Sequence, residues 1–109
     1  MTSESKIQTL TSKVDYLRAS NADGVSIIEG TAAWCPQCKA IAPEVEKMVS
    51  EFPDARFYKF DVDERPDIAQ ELGISVMPTF TIFKDGNVQE GVSGAKPKVL
   101  REKIKGNLK

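Results

Sequence analysis

At 109 residues, with 40% hydrophobic and 28% charged side chains, the chain has the makeup of one ordinary globular domain over residues 1–109. That is enough apolar material for a sizeable core without disulfide staples or a structural metal. With 15 basic and 16 acidic residues, a formal net charge of −1, no run of like charge and no apolar stretch long enough to span a bilayer, neither a nucleic-acid nor a membrane partner is expected.

Residues 1–6 carry neither the apolar core of a signal peptide nor the arginines of a presequence, so a cytoplasmic location is expected. In that reducing compartment a cysteine pair is more often catalytic or metal-binding than a permanent staple. In chain order, residues 7–10 read as a short strand. Thr11 or Ser12 then caps a short helix running through Val14, Leu17 and Arg18. The β-branched run 25–28 follows Asp23-Gly24 as a strand. From Pro36 onward, Ile41, Val45, Met48, Val49 and Phe52 recur at helical spacing on a helix ending near Pro53-Asp54.

Residues 56–62 form the next expected strand. Pro66 suits the first turn of a helix through Ile68, Ala69 and Leu72, and Gly73 ends it. Strands 79–83 and 88–92 flank Asp85-Gly86, a strong hairpin signal. Pro97 opens a last helix with Leu100, Ile104 and Leu108 on one face. The order β-α-β-α-β-α-β-β-α predicts an α/β domain: parallel strands joined by helical crossovers, an antiparallel hairpin, and helices on both faces of a mixed sheet.

The segment Trp34-Cys35-Pro36-Gln37-Cys38 carries the chemistry. If Cys35 is the N-cap, Pro36 takes the first helical position and Cys38 falls on the same face one turn in. Two such positions lie about 5–6 Å apart, within the Cα spacing a disulfide tolerates. The loop that a Cys35–Cys38 disulfide closes is so small that the bond should be readily reduced. A helix N-terminus favours a thiolate over a thiol, so Cys35, taken as the more exposed residue, is the expected nucleophile and Cys38 the resolving thiol. A metal site fails on ligand count: there is no histidine and no third cysteine, so only a dimer pooling four thiolates could hold zinc.

With those residues the chain resembles the thioredoxin family over nearly its whole length. The resemblance is carried by Ala33-Trp34-Cys35, Cys38-Lys39, Ala42-Pro43, Lys59 with Asp61 and Asp63, Met77-Pro78-Thr79-Phe80, Phe83-Lys84-Asp85-Gly86 and Gly94-Ala95. It implies the thioredoxin fold, about five strands flanked by about four helices, and a thiol–disulfide oxidoreductase acting on protein disulfides. It also implies that Pro78 is a cis-proline beside the cysteines and that Met77 offers its backbone to an extended substrate strand. Trp34 becomes an apolar wall or a plain packing residue, and Gly94 completes the substrate groove. Pro43 falls inside the helix and is assigned no chemistry. No cofactor is implied; the electron donor would be an NADPH-dependent flavoprotein thioredoxin reductase.

Several residues depart from the family pattern. Pro36-Gln37 stands where typical thioredoxins have Gly-Pro, and proline directly after the first cysteine is the glutaredoxin arrangement. Glutaredoxins lie at roughly −200 to −230 mV against about −270 mV for thioredoxin, so a somewhat more oxidising couple is expected. Glutathione chemistry is expected to be weak, because Met77 precedes Pro78 and Ser93-Gly94-Ala95-Lys96 lacks the acidic residue that would bind the tripeptide. Glu29 stands where thioredoxins bury an aspartate. Its implied role is to shuttle a proton to the resolving cysteine, with Lys59 nearby; the alternative is a strand-end surface residue. Gly30 and Thr31 replace a bulky aromatic pair, which predicts lighter packing under the site. Competing with the redox carrier are a binding module of the same fold with little turnover and a dedicated oxidase or isomerase.

Overall fold

The computed structural model describes residues 6–109; the stretch 1–5, read above for targeting signals, lies outside them. Along the chain run β1 (Gln8–Thr9), α1 (Lys13–Ser20), β2 (Val25–Thr31), α2 (Pro36–Glu51), β3 (Ala55–Asp61), α3 (Pro66–Leu72), β4 (Thr79–Lys84), β5 (Asn87–Ser93) and α4 (Pro97–Asn107). The strands form one five-stranded sheet in the order β1-β3-β2-β4-β5. β3 pairs in parallel with both β1 and β2, whereas β4 runs antiparallel to β2 and β5. This is the mixed sheet the element order predicts.

Strand β2 lies at the centre, and its alternation sorts the core into two layers. Val25 and Ile27 face α2 and α4, where Ile41, Val45, Met48, Leu100 and Ile104 close over them. Ile28 points the other way, into a cluster with Tyr16 of α1, Phe60 and Ile68 of α3. Helix α1 is capped as expected, the Asp15 N–H donating to the Ser12 hydroxyl at 3.1 Å. It buries Tyr16, Ala19 and Ser20, while Val14 and Leu17 face solvent. The α3 stop at Gly73 is left-handed, with φ 65°. Positive φ at both Asp85 and Gly86 (51° and 85°) makes the β4–β5 connection a tight primed turn, which matches strand twist.

Two expectations about the ground beneath the site need correction. β2 continues three residues past Ile28, so Glu29 sits inside the strand. The packing at Gly30 is also tight rather than light: a Cβ there would lie 2.7 Å from Ile74 Cδ1 and 3.3 Å from Val62 Cγ1. Branched side chains from β3's exit and the α3–β4 loop fill the space that a bulky residue at position 30 would need.

Candidate active site

Cys35 is the N-cap of α2, in extended conformation, and Pro36 takes the first helical position. Proline costs nothing there, because that N–H has no intrahelical partner. The Cys38 N–H turns back and donates to the Cys35 sulfur at 3.2 Å. The Cys35 sulfur thus receives one of the helix's free donors and lies at the positive end of its dipole. Cys35 Sγ is also 3.6 Å from the Met77 carbonyl oxygen, to which its S–H donates, and 3.9 Å from Gln37 Oε1.

The sequence assigned the greater exposure to Cys35; the structure reverses this. Cys35 is 1% exposed and Cys38 5%, because Ala32, Val62 and Met77 pack around the pair. Both are free thiols, the reduced half of the expected disulfide couple. Burial pushes the Cys38 thiol up and the hydrogen bond with Cys35 adds to this, while the Thr31 hydroxyl and the Ala32 backbone pull it down. The second cysteine therefore holds its proton until something takes it.

Around the pair stand the other residues named from sequence. The Met77–Pro78 bond is cis, and Pro78 is fully buried. The Pro78 carbonyl accepts from the Gly94 N–H at 2.7 Å, which ties the β5 end to the loop beside Cys35. Gly94 has φ 89°, a conformation L side chains rarely adopt, so glycine serves a backbone need there. Trp34 is 62% exposed, which rules out plain packing. Its indole N–H donates to Asp63 Oδ2 at 2.8 Å, and the ring is held at the surface next to Cys35 in the chain. Nothing in the residue spacing predicts that bond, because it joins the end of β2 to the loop after β3. Asp63 is itself held by its N–H donating to Asp61 Oδ1 at 2.8 Å.

Glu29 is 8% exposed, which rules out the surface reading. Burial pushes its carboxyl up to about 7, and Lys59, its register partner on β3, offsets part of that rise. Both line a cavity of about 220 Å³ whose wall also includes Thr31, Cys38, Lys39 and Glu46. A carboxyl poised near neutrality and the Cys38 thiol thus line one cavity. Thr31 belongs to it too, by strand alternation from Glu29, although no role is legible for it in the sequence.

The Thioredoxin family model matches residues 7–106. Thioredoxin AMT13 of Alternaria alternata is 41% identical over 109 residues, covering 99% of this chain and 92% of that protein. The chain belongs to the thioredoxin family. A thioredoxin of Geodia cydonium is 42% identical, covering 93% of this chain and 98% of its own length. Among solved structures, oxidised mitochondrial thioredoxin 3 of Saccharomyces cerevisiae superposes with a TM-score of 0.89 at 38% identity, over 92% of this chain and 94% of that one. The fold is the thioredoxin fold, and Cys35 and Cys38 occupy the family's active-site position. The protein is a thiol–disulfide oxidoreductase.

Proposed function

We propose that this thioredoxin reduces protein disulfides through a Cys35/Cys38 couple, with Glu29 as the proton acceptor of the second step. The single observation that carries the assignment is the N-cap geometry, in which the Cys38 N–H points at the Cys35 sulfur. Cys35 thiolate attacks one sulfur of a substrate disulfide and releases the other as a thiolate, leaving a mixed disulfide. Cys38 then gives up its proton, attacks the Cys35 sulfur and displaces the second substrate thiolate. The substrate gains two electrons, and the protein ends as the Cys35–Cys38 disulfide.

Glu29 fits the proton transfer because a group poised near 7 is populated in both forms at neutral pH. Lys59 keeps the ionised carboxylate affordable. The exposed Trp34 ring, the Met77 backbone beside the cis-proline and the open Gly94 position offer an extended substrate segment an apolar wall and main-chain partners. Regeneration of the dithiol falls to an NADPH-dependent thioredoxin reductase. A reducing compartment such as the cytosol suits a chain with these two cysteines alone. No helix among the described residues is long and apolar enough to cross a membrane.

Insulin-disulfide reduction tests the whole reading, run first with dithiothreitol and then with NADPH and reductase, beside Cys35→Ser. Activity in both assays, abolished in the variant, is the expected result. Activity with dithiothreitol alone assigns a different electron donor. No activity in either returns the chain to a binding role on a redox scaffold.

A further inference from the structure

Lys96 occupies a position that helix chemistry disfavours. It is the N-cap of α4, makes no side-chain hydrogen bond to the first turn, and has no acidic residue in that turn to answer its charge. A lysine has no acceptor with which to cap free N–H groups, and its ammonium is repelled by the positive end of the helix dipole. Arg101 and Lys103 of the same helix pair with Glu44, Glu51 and Glu90. Lys96, by contrast, is exposed and forms no ion pair among the described residues. A residue that breaks a local rule without a local gain points to a use elsewhere.

That use is legible in what the side chain covers. The Lys96 stem folds back over Gly94, so that a Cβ on the glycine would stand 3.8 Å from Lys96 Cε. The Gly94 N–H donates to the Pro78 carbonyl at 2.7 Å, and the Met77 carbonyl before that proline is 3.6 Å from Cys35 Sγ. A line of contacts thus runs from the Cys35 sulfur across the cis-proline and Gly94 to the Lys96 stem, with the ammonium one bond beyond Cε. The ends of β2, β3 and β5 and the start of β4 all lie at this one edge of the sheet. Asp63 follows β3 and Lys96 follows β5, on opposite sides of β2, and Asp63 is engaged by the Trp34 indole.

We propose that Lys96 is a specificity residue, whose ammonium attracts an acidic side chain of the substrate segment and so selects disulfides flanked by aspartate or glutamate. The proposal rests on the reading above that the segment lies along Met77 and Gly94. In an extended segment the residues two before and two after the attacked cysteine point the same way as that cysteine, about 7 Å along the strand. These are the positions from which a carboxylate meets a lysine draped over the neighbouring glycine. The stem lies on the protein and the charged head stays in water, so the attraction is that of an exposed ion pair: modest, and screened by salt.

The test uses the reduced full chain and short peptides whose single cysteine is joined by a disulfide to a coloured aromatic thiol. Each peptide carries glutamate or lysine either two residues before or two residues after that cysteine. Cys35 thiolate bonds to the peptide sulfur, the S–S bond breaks, and the aromatic thiolate, the better leaving group, departs with the electron pair and is followed by stopped flow. At low salt the glutamate peptide should react about two- to fivefold faster than its lysine twin at one of the two positions, and the ratio should approach one in about 1 M salt. Lys96→Gln should remove the preference, and Lys96→Glu should invert it. Lys96→Ser, which supplies a capping oxygen and so offsets any loss of helix stability, should remove it as well. Equal rates for the twins at both positions, or a preference that survives these variants, overturns the proposal and leaves the reductase reading standing. A native chain that releases no more colour than Cys35→Ser overturns the reductase reading, and this one with it.

Discussion

The carboxyl of Glu29 faces two opposing influences, and burial outweighs the attraction of Lys59, which leaves it titrating at about 7 instead of the ordinary 4.5. A folded value above the unfolded one means that ionising the group costs folding free energy. Its contribution to stability is therefore complete below pH 4.5 and is lost as pH rises through about 7. The size of the loss is about 3 kcal/mol. Glu29→Gln cannot ionise, so its stability relative to the native chain should improve by about that amount between those limits. Urea unfolding at a series of pH values checks this; a gap that stays constant with pH would contradict the burial-driven shift. Glu29 was legible as a candidate because of where it falls before the cysteines. Its burial was implied by the resemblance but not by the strand pattern, because a strand of β-branched residues that stops at Ile28 and one that runs on to Thr31 look alike in sequence.

Strand β2 is what brings the site's components together. Its alternation aims Glu29 and Thr31 at the cavity beneath Cys38 while Ile28 faces the opposite layer. Gly30 lies between them, and its missing side chain is filled by Ile74, Val62 and Phe60. Gly30→Val should therefore overpack the layer and destabilise the fold by about 1–3 kcal/mol. Gly30→Ala should cost less, because the nearest atom is the far end of the Ile74 side chain. Thermal unfolding of the two variants checks the ranking, and a stabilised valine variant would show that this layer holds spare room. The prediction of lighter packing failed here because a small residue in sequence says nothing about which distant side chains occupy its space. Helix α2, by contrast, was readable from its first residue to its end, because Pro36 and the apolar spacing are local signals.

The thioredoxin scaffold and the Pro36-Gln37 dipeptide pull the redox chemistry in different directions. The scaffold supplies the cis-proline loop, the exposed Trp34 and the buried carboxyl; the dipeptide places the Gln37 carboxamide 3.9 Å from the Cys35 sulfur. We expect the couple to lie above the roughly −270 mV of thioredoxin, toward the glutaredoxin range. Equilibration against a glutathione buffer with alkylation of the free thiols measures it. A potential at or below that of a standard thioredoxin would show that the scaffold dominates the dipeptide. Since 30 mV corresponds to about 1.4 kcal/mol, even a small rise changes which partner disulfides the protein can reduce.

The order of elements, the cap at Cys35, the one-turn spacing to Cys38 and the Asp85-Gly86 turn could all be read from the residues, because each depends on neighbours a few positions away. The near-complete burial of both cysteines, the bond from Trp34 to Asp63, the filling around Gly30 and the shared enclosure of Glu29, Thr31 and Cys38 could not. Each joins residues from different elements, and its outcome depends on how the strands and helices pack across the central sheet. Cys35 and Cys38 are therefore identifiable from their spacing, whereas the cavity that Glu29, Thr31 and Cys38 share exists only once β2 has been laid beneath α2.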